Sequence, residues 1–335
     1  MSFTGPFRFR PNYKGTLGWK GIKDKACLAE GSGRMTKLQL GINTCFAVKR
    51  WPEASEWTEI VGCKLDLDLA QFSFDLVDPR VRPSVRARKS AEAKQAAADH
   101  GVKIHSTFTG LGAYSFNLLM HPDVGMRSDA LDWYEQAVHM TAEMGADGTG
   151  GHVASMSYND YGNKARRAYL LDCLTESLQH LSRIARDLGQ KFVLWEPMPV
   201  PREPPCNIAD AKSLYRKVNK GAAVPIYFCM DTGHQCAYSE CDKDLDTFQW
   251  VREIGPMSPV MHVQQTDGKM DRHWPFTPEF NSKGLIKAEK LIEAIEASGV
   301  SEVALMLEII HAFEEKEDKV LEDLEKSVAY WKEYV

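Results

Sequence analysis

The feature of the sequence that most restricts its fold is a regular alternation of short apolar runs with longer amphipathic stretches, which begins at Thr36. Close to eight such pairs follow one another along the chain. Apolar runs of about four to eight residues are typical of buried strands, whereas the amphipathic stretches are long enough for helices. The predicted strands are Lys37–Asn43, Leu65–Phe72, Val102–Phe108, Gly145–Gly151, Phe192–Glu196, Ile226–Asp231, Val260–Gln264 and Val303–Ile309.

Five helices are predicted between these strands, either from strong helix formers or from apolar residues at spacings of three and four. In the longest of them Leu170, Leu174 and Leu178 share one face, and Gly189 follows its end, where glycine accepts the left-handed conformation that stops a helix. The five predicted helices are 86–100, 129–144, 165–188, 284–298 and 317–333.

This order of elements predicts a barrel. Strands that alternate with helices pair in parallel through right-handed crossovers, and eight such units favour a closed barrel over an open sheet. An open nucleotide-binding sheet would require G-x-G-x-x-G or G-x-x-x-x-G-K-[ST], and the sequence contains neither motif where it is needed. We therefore predict an α/β fold, a single (β/α)8 TIM barrel over residues 35–335. Residues 1–34, which are basic and end in Gly-Ser-Gly-Arg, are predicted to be an N-terminal extension, either a natural arm or an expression remnant.

Charge and cysteine usage narrow the class of partner. The chain has 335 residues with 46 acidic and 41 basic side chains, and its net charge of −5 argues against binding to a nucleic-acid backbone. No apolar stretch approaches the roughly 20 residues that span a bilayer, and the N-terminus lacks the apolar region of a signal peptide. The 8 cysteines are scattered and form no C-x-x-C pair. These features predict a cytoplasmic protein with no nucleic-acid or membrane partner.

Polar side chains follow four consecutive predicted strands. Glu196 ends strand five, Asp231 ends strand six, His262 lies on strand seven and Glu308 is at the end of strand eight. The carboxyl ends of barrel strands carry catalytic groups, and charged residues beside apolar runs need a counter-charge when they are buried. Three carboxylates and one imidazole predict one bound divalent ion, which can be Mn²⁺, Co²⁺, Mg²⁺ or Zn²⁺.

The motifs around these residues resemble those of the sugar isomerase and epimerase family with the xylose-isomerase-like barrel. The resemblance extends from Thr36 to the end of the chain and rests on "LWEPMP", "CMDTGH", "VMHVQQTD" and "LMLEII". It implies that Glu196, Asp231, His262 and Glu308 are metal ligands. It also implies that His234, three residues after the aspartate, contacts an oxygen of the substrate.

The resemblance implies proton transfer next to a sugar carbonyl. A metal-bound carbonyl acidifies the adjacent C–H and stabilises the enediolate, so Glu196 and Glu308 are expected to be both ligands and proton carriers. Ketose 3-epimerases of the family have an arginine six residues after the strand-seven histidine, and here that position is Gly268. Lys269 and Arg272 are the candidates to replace it as substrate-binding residues. We therefore rank an aldose–ketose isomerase above the alternative, a 3-epimerase.

Three further expectations concern the substrate and the assembly of the protein. His105, on strand three, is a further candidate substrate contact. The loops after strands seven and eight lack a glycine-rich phosphate cradle, which favours an unphosphorylated sugar as substrate. Trp274-Pro275-Phe276 is interpreted either as a lid or as a contact between subunits of a homo-oligomer.

Two other classes of protein stay open. The first is a metal-dependent DNA-repair endonuclease on a related barrel, which requires more histidines at the strand ends and a basic groove. The second is a barrel that binds a sugar without catalysis, which requires neither glutamate.

Overall fold

Eight parallel strands close into a barrel in which the order around the ring follows the order in the chain. The computed structural model describes residues 36–236 and 241–335, so the predicted extension 1–34 lies outside the described residues. The predicted TIM barrel is confirmed, with each observed strand inside or within one residue of a predicted one. The strands are β1 (Lys37–Asn43), β2 (Leu69–Ser73), β3 (Lys103–Phe108), β4 (Gly148–Gly151), β5 (Phe192–Trp195), β6 (Ile226–Asp231), β7 (Val260–Val263) and β8 (Glu302–Leu307).

Helices surround the barrel and include all five predicted ones. Within the described part of the chain, no helix is long and apolar enough to cross a membrane. The α-helices are α1 (Ala54–Glu59), α2 (Pro83–Asp99), α3 (Leu111–Tyr114), α4 (Val124–Met144), α5 (Tyr158–Gly162), α6 (Lys164–Asp187), α7 (Ile208–Asn219), α8 (Thr247–Ile254), α9 (Pro278–Lys283), α10 (Ala288–Ser298) and α11 (Glu317–Lys332).

The glycines of β4 are required by the packing inside the barrel. A Cβ atom on Gly148 would lie 2.2 Å from the ring of Phe192, and one on Gly150 would lie 2.3 Å from Leu194 Cβ. Side chains of β5 thus occupy the space that β4 leaves free. The sequence Gly-Thr-Gly-Gly therefore forms the strand itself, within the predicted strand Gly145–Gly151.

Two apolar clusters form the core of the protein, and neither fills the carboxyl end of the barrel, where polar groups lie. A small inner cluster that includes Phe108, Leu194 and Met306 fills the barrel, and a larger one packs between the strands and the helices. Phe108 lies at the top of the inner cluster, because its ring is 4.5 Å from the ring of His262. The apolar filling therefore ends directly beneath the predicted metal ligands.

Phe276 belongs to the core. Its side chain is 1% exposed, stacks on Tyr330 at 5.6 Å and meets Trp331 edge-on at 5.2 Å. This packing against α11 supports neither the lid nor the subunit contact that we proposed for this residue from the sequence.

The Phe276→Ala variant is expected to lose about 3–5 kcal/mol of unfolding free energy, because it removes a fully buried aromatic ring and leaves a cavity. Phe116→Ala is the matched control, since Phe116 is 61% exposed. Urea denaturation followed by circular dichroism measures both variants. Equal destabilisation of the two would contradict the assigned packing.

Candidate active site

Four side chains converge at the carboxyl end of the barrel. Glu196 directly follows β5, Asp231 ends β6, His262 lies on β7 and Glu308 directly follows β8. All four are buried, and one ligand atom from each lies within 4.8 Å of the others. Parallel pairing explains this, because β6 and β7 align Asp231 with His262. The structure thus brings together the complete ligand set predicted from the sequence.

The imidazole of His262 is at the centre of the group. Its Nδ1 lies 3.1 Å from Glu196 Oε1, 3.0 Å from Glu308 Oε2 and 4.0 Å from Asp231 Oδ2. Its Nε2 lies 2.6 Å from Gln71 Oε1, an oxygen that also accepts a hydrogen bond from Asn43. Because that amide oxygen can only accept, Nε2 carries a proton and donates it to Gln71, while Nδ1 faces the carboxylates.

Asp231 has an unpaired oxygen inside this group of side chains. Its Oδ1 accepts hydrogen bonds from the Gly233 amide and from Gln264, whereas its buried Oδ2 has no partner in the described structure. Burial raises the pKa of Asp231 to about 7. A divalent cation held by the three carboxylates and His262 would supply a partner for the unpaired oxygen. The residues therefore fit a metal ion.

The Gln71→Met variant is expected to weaken metal binding by about 10–100-fold, because it removes the acceptor that orients His262. Gln39→Met, a change to the β1 glutamine that is paired with Ala304 near the other end of the strand, is the control. Titration of Mn²⁺ into the metal-free protein, followed by electron paramagnetic resonance, gives the affinity. Unchanged affinity in Gln71→Met would contradict this orienting role.

His234 lies beside the ligand group, as the resemblance implies. Its Nδ1 donates to the carbonyl of Pro197 at 3.0 Å, and its Nε2 lies 3.5 Å from Asp271 Oδ2. The ring is 6% exposed and lines the cavity above the predicted metal ligands. The backbone carbonyl therefore fixes the orientation in which His234 can meet a substrate.

Asp271 and His273 were missed by the sequence analysis, although both lie in the loop after β7 that carries the predicted Lys269 and Arg272. His273 Nδ1 donates to the Glu308 carbonyl, and its Nε2 lies 3.1 Å from Asp271 Oδ2. Burial opposes ionisation of Asp271, but His234 and His273 lower its pKa well below the usual range. With Asp231, the two histidines form a second group whose ligand atoms lie within 4.8 Å of one another.

Three predicted substrate contacts do not line this cavity. Lys269 is exposed, and Arg272 pairs with Asp267 at 2.9 Å and stacks on Trp274. His105 lies three residues before the end of β3, with its ring 5.6 Å from Phe192. Burial and neighbouring Lys103 lower the pKa of His105 to about 4. We correct these assignments, because the strand continues past His105 and the loop directs Asp271 and His273 inwards instead.

The cavity over the ligand group has a volume of about 310 Å³, which is at the small end of ligand sites. Its wall includes His152, which follows β4 and is 3% exposed. Neither ring nitrogen of His152 has a partner in the described structure, and burial lowers its pKa to about 4. The sequence signal was present but misread, because we took strand four to end in Gly151 and overlooked the next residue.

A family model described as the xylose isomerase-like TIM barrel matches residues 65–333. The chain belongs to this family. It is 29% identical over 305 residues to D-erythrulose 1-phosphate 3-epimerase of Brucella abortus strain 2308, covering 89% of this chain and 96% of that protein. The predicted family is thereby confirmed.

Solved structures share the architecture. A protein from Rhodospirillum rubrum with the provisional name xylose isomerase is 30% identical, with a TM-score of 0.83 over 89% of this chain and 99% of that one. D-psicose 3-epimerase of Clostridium cellulolyticum H10, crystallised with D-tagatose, is 14% identical, with a TM-score of 0.66 over 88% and 99%. The second likeness concerns the fold alone. Because the curated relative is an epimerase, and epimerases are isomerases, the predicted enzyme class is confirmed.

Proposed function

We propose that this isomerase is a divalent-metal-dependent 3-epimerase of a small ketose. The observation that carries the proposal is the buried group of Glu196, Asp231, His262 and Glu308 under a cavity of about 310 Å³. The named activity of the Brucella relative supports 3-epimerisation. This reverses the ranking that we made from the sequence.

The missing arginine at Gly268 was the argument for ranking the aldose–ketose isomerase first. The structure weakens that argument, because the same loop supplies Asp271 and His273 to the cavity. Polar groups for holding a ketose are thus present without an arginine at that position.

The two glutamates are the proposed proton carriers. A divalent ion in the site would polarise the substrate carbonyl and lower the pKa of the neighbouring C–H bond. Glu196 and Glu308 come from β5 and β8, on different sides of the barrel mouth, and both line the cavity. One carboxylate removes the C3 proton, and the other returns a proton to the opposite face.

Two of the cavity histidines, His234 and His152, orient the ketose. His234 presents Nε2, because its Nδ1 is bonded to the Pro197 carbonyl. Neutral His152 offers one donor and one acceptor, which suits a sugar hydroxyl. These contacts would align the C3 hydrogen with a carboxylate.

Proton exchange in D₂O distinguishes the two reactions. We would incubate the Mn²⁺-loaded protein with D-erythrulose 1-phosphate, D-erythrulose and longer ketoses, and follow them by NMR and chiral chromatography. A 3-epimerase gives the inverted ketose with deuterium at C3, whereas an aldose–ketose isomerase gives an aldose. Formation of an aldose without inversion at C3 would overturn the proposal.

The endonuclease alternative is tested in parallel with a duplex that contains an abasic site. Four carboxylates line the cavity, those of Asp75, Glu196, Asp271 and Glu308. Among the described residues that line it, Arg50 is the only lysine or arginine. This charge balance suits a small substrate better than a phosphodiester backbone. Cleavage of the duplex together with inactivity on every ketose would favour the endonuclease.

A further inference from the structure

We propose that Arg50 and His311 form a phosphate subsite, so that the substrate of this site is a ketose phosphate. Arg50 lies in the segment after β1, and His311 in the segment after β8, two strands that are neighbours in the barrel. Both residues line the cavity that contains Glu196 and Glu308. The proposal rests on the proposed 3-epimerase function and adds the chemical class of its substrate.

Arg50 carries a charge that has no carboxylate partner among the described residues. Its Nη1 donates to the Glu315 carbonyl at 2.7 Å, and its Nη2 donates to the Ala312 carbonyl. A guanidinium has five N–H donors, so these two bonds anchor the group and leave donors and the whole positive charge for a ligand. Arginine held in this way is well suited to an anion with several oxygens.

His311 provides the second half of the subsite. Its side chain is 10% exposed, and its Nε2 lies 3.2 Å from Asp323 Oδ2. Its buried Nδ1 has no partner in the described structure. Asp323 also pairs with Lys319, which offsets the charge of that carboxylate. A carboxylate behind one ring nitrogen orients the other one and stabilises the imidazolium when an anion binds.

The distribution of charge across the cavity favours a phosphate at this position. The side that holds a metal is lined by carboxylates, which repel a dianion, whereas Arg50 and His311 lie together at the β1–β8 boundary. His311 and Glu308 come from the same short segment after β8 and line the same cavity, so one substrate can contact both the subsite and the ligand group. Side chains replace the glycine-rich cradle whose absence led us to predict an unphosphorylated sugar.

Matched substrates test the subsite. We would compare kcat/KM for D-erythrulose 1-phosphate and D-erythrulose in Arg50→Gln and His311→Asn. Each variant is expected to lose roughly 10–100-fold on the phosphorylated ketose, as for a lost hydrogen bond to a charged group, and less than about threefold on the other. Arg50→Lys, which keeps the charge, should recover part of the loss.

Lys49→Met is the control, because Lys49 also carries a positive charge near the cavity but lies over the Phe313 ring and does not line the cavity. If Arg50 only holds residues 312–315 in place through its two backbone hydrogen bonds, its substitution will lower activity on both ketoses by the same factor. Equal losses, or a wild-type preference for the unphosphorylated ketose, would overturn the proposal.

Binding of inorganic phosphate to the metal-loaded protein supplies a readout without turnover. We expect ³¹P NMR titration to show binding that Arg50→Gln weakens by at least about tenfold and Lys49→Met leaves unchanged. If no ketose is epimerised but phosphate still binds through Arg50, the proposed function fails while the subsite stands. If phosphate does not bind, or binds equally to Arg50→Gln, the subsite fails.

Discussion

The Glu308→Gln variant is expected to lose on the order of 10³-fold or more in kcat for epimerisation. Glu308 combines two roles, because its Oε2 lies 3.0 Å from His262 Nδ1 in the ligand group and its side chain lines the cavity. Glutamine keeps the size of the side chain but cannot accept a proton. The loss should appear in kcat more than in KM, since the carboxylate acts on the reacting C–H bond.

The control for this variant is Glu314→Gln, which removes an exposed carboxylate from the same segment after β8. Metal content and circular dichroism show whether the site and the fold persist. The two-carboxylate reaction makes a finer prediction, because Glu308→Gln should still exchange the C3 proton of the one epimer that is deprotonated by Glu196. Wild-type epimerisation by metal-loaded Glu308→Gln would contradict the assigned role.

Removal of metal by a chelator is expected to abolish activity and to lower the thermal midpoint of unfolding. Without a cation, three carboxylates are buried together around His262, and Asp231 Oδ2 has no partner in the described structure. Metal at about 100 times its Kd should add about 2.7 kcal/mol to the unfolding free energy. Calorimetry with increasing Mn²⁺ measures this gain.

The Asp231→Asn variant should lose most of the metal-dependent stabilisation, because it removes the carboxylate with the unpaired oxygen. Asp187→Asn is the control, since the Asp187 side chain is 64% exposed beside Arg186. Full activity in a chelated protein that contains no metal, together with an unchanged midpoint, would disprove the metal requirement.

The fold was predictable because its signals are local. Each short apolar run indicates a strand that is buried on both faces. Long helices such as α4 and α6 contain strong helix formers or have a clear apolar face. Six helices were not predicted, namely α1, α3, α5, α7, α8 and α9, and all of them except the 12-residue α7 have 8 residues or fewer. Short helices repeat their apolar pattern too few times to stand out, and their stability comes from packing on the barrel.

The convergence of the four candidate ligands was predictable for a related reason. Once the eight strands are counted, every carboxyl end lies at one mouth, so Glu196 and Glu308 must be near each other although 112 positions apart. The orienting partner of His262 was not predictable, because Gln71 comes from β2 and its role depends on a contact across 191 positions.

The sequence by itself determined the barrel, the family and the convergence of four candidate ligands at one end of the barrel, because strand periodicity and strand ends are properties of neighbouring residues. Only the tertiary structure decided which loop residues reach the cavity. It turned Asp271 and His273 inwards, left Lys269 outside, and brought Arg50 and His311 to one wall. The physical reason is that a loop side chain takes its direction from hydrogen bonds and packing with distant parts of the chain, which no local pattern records.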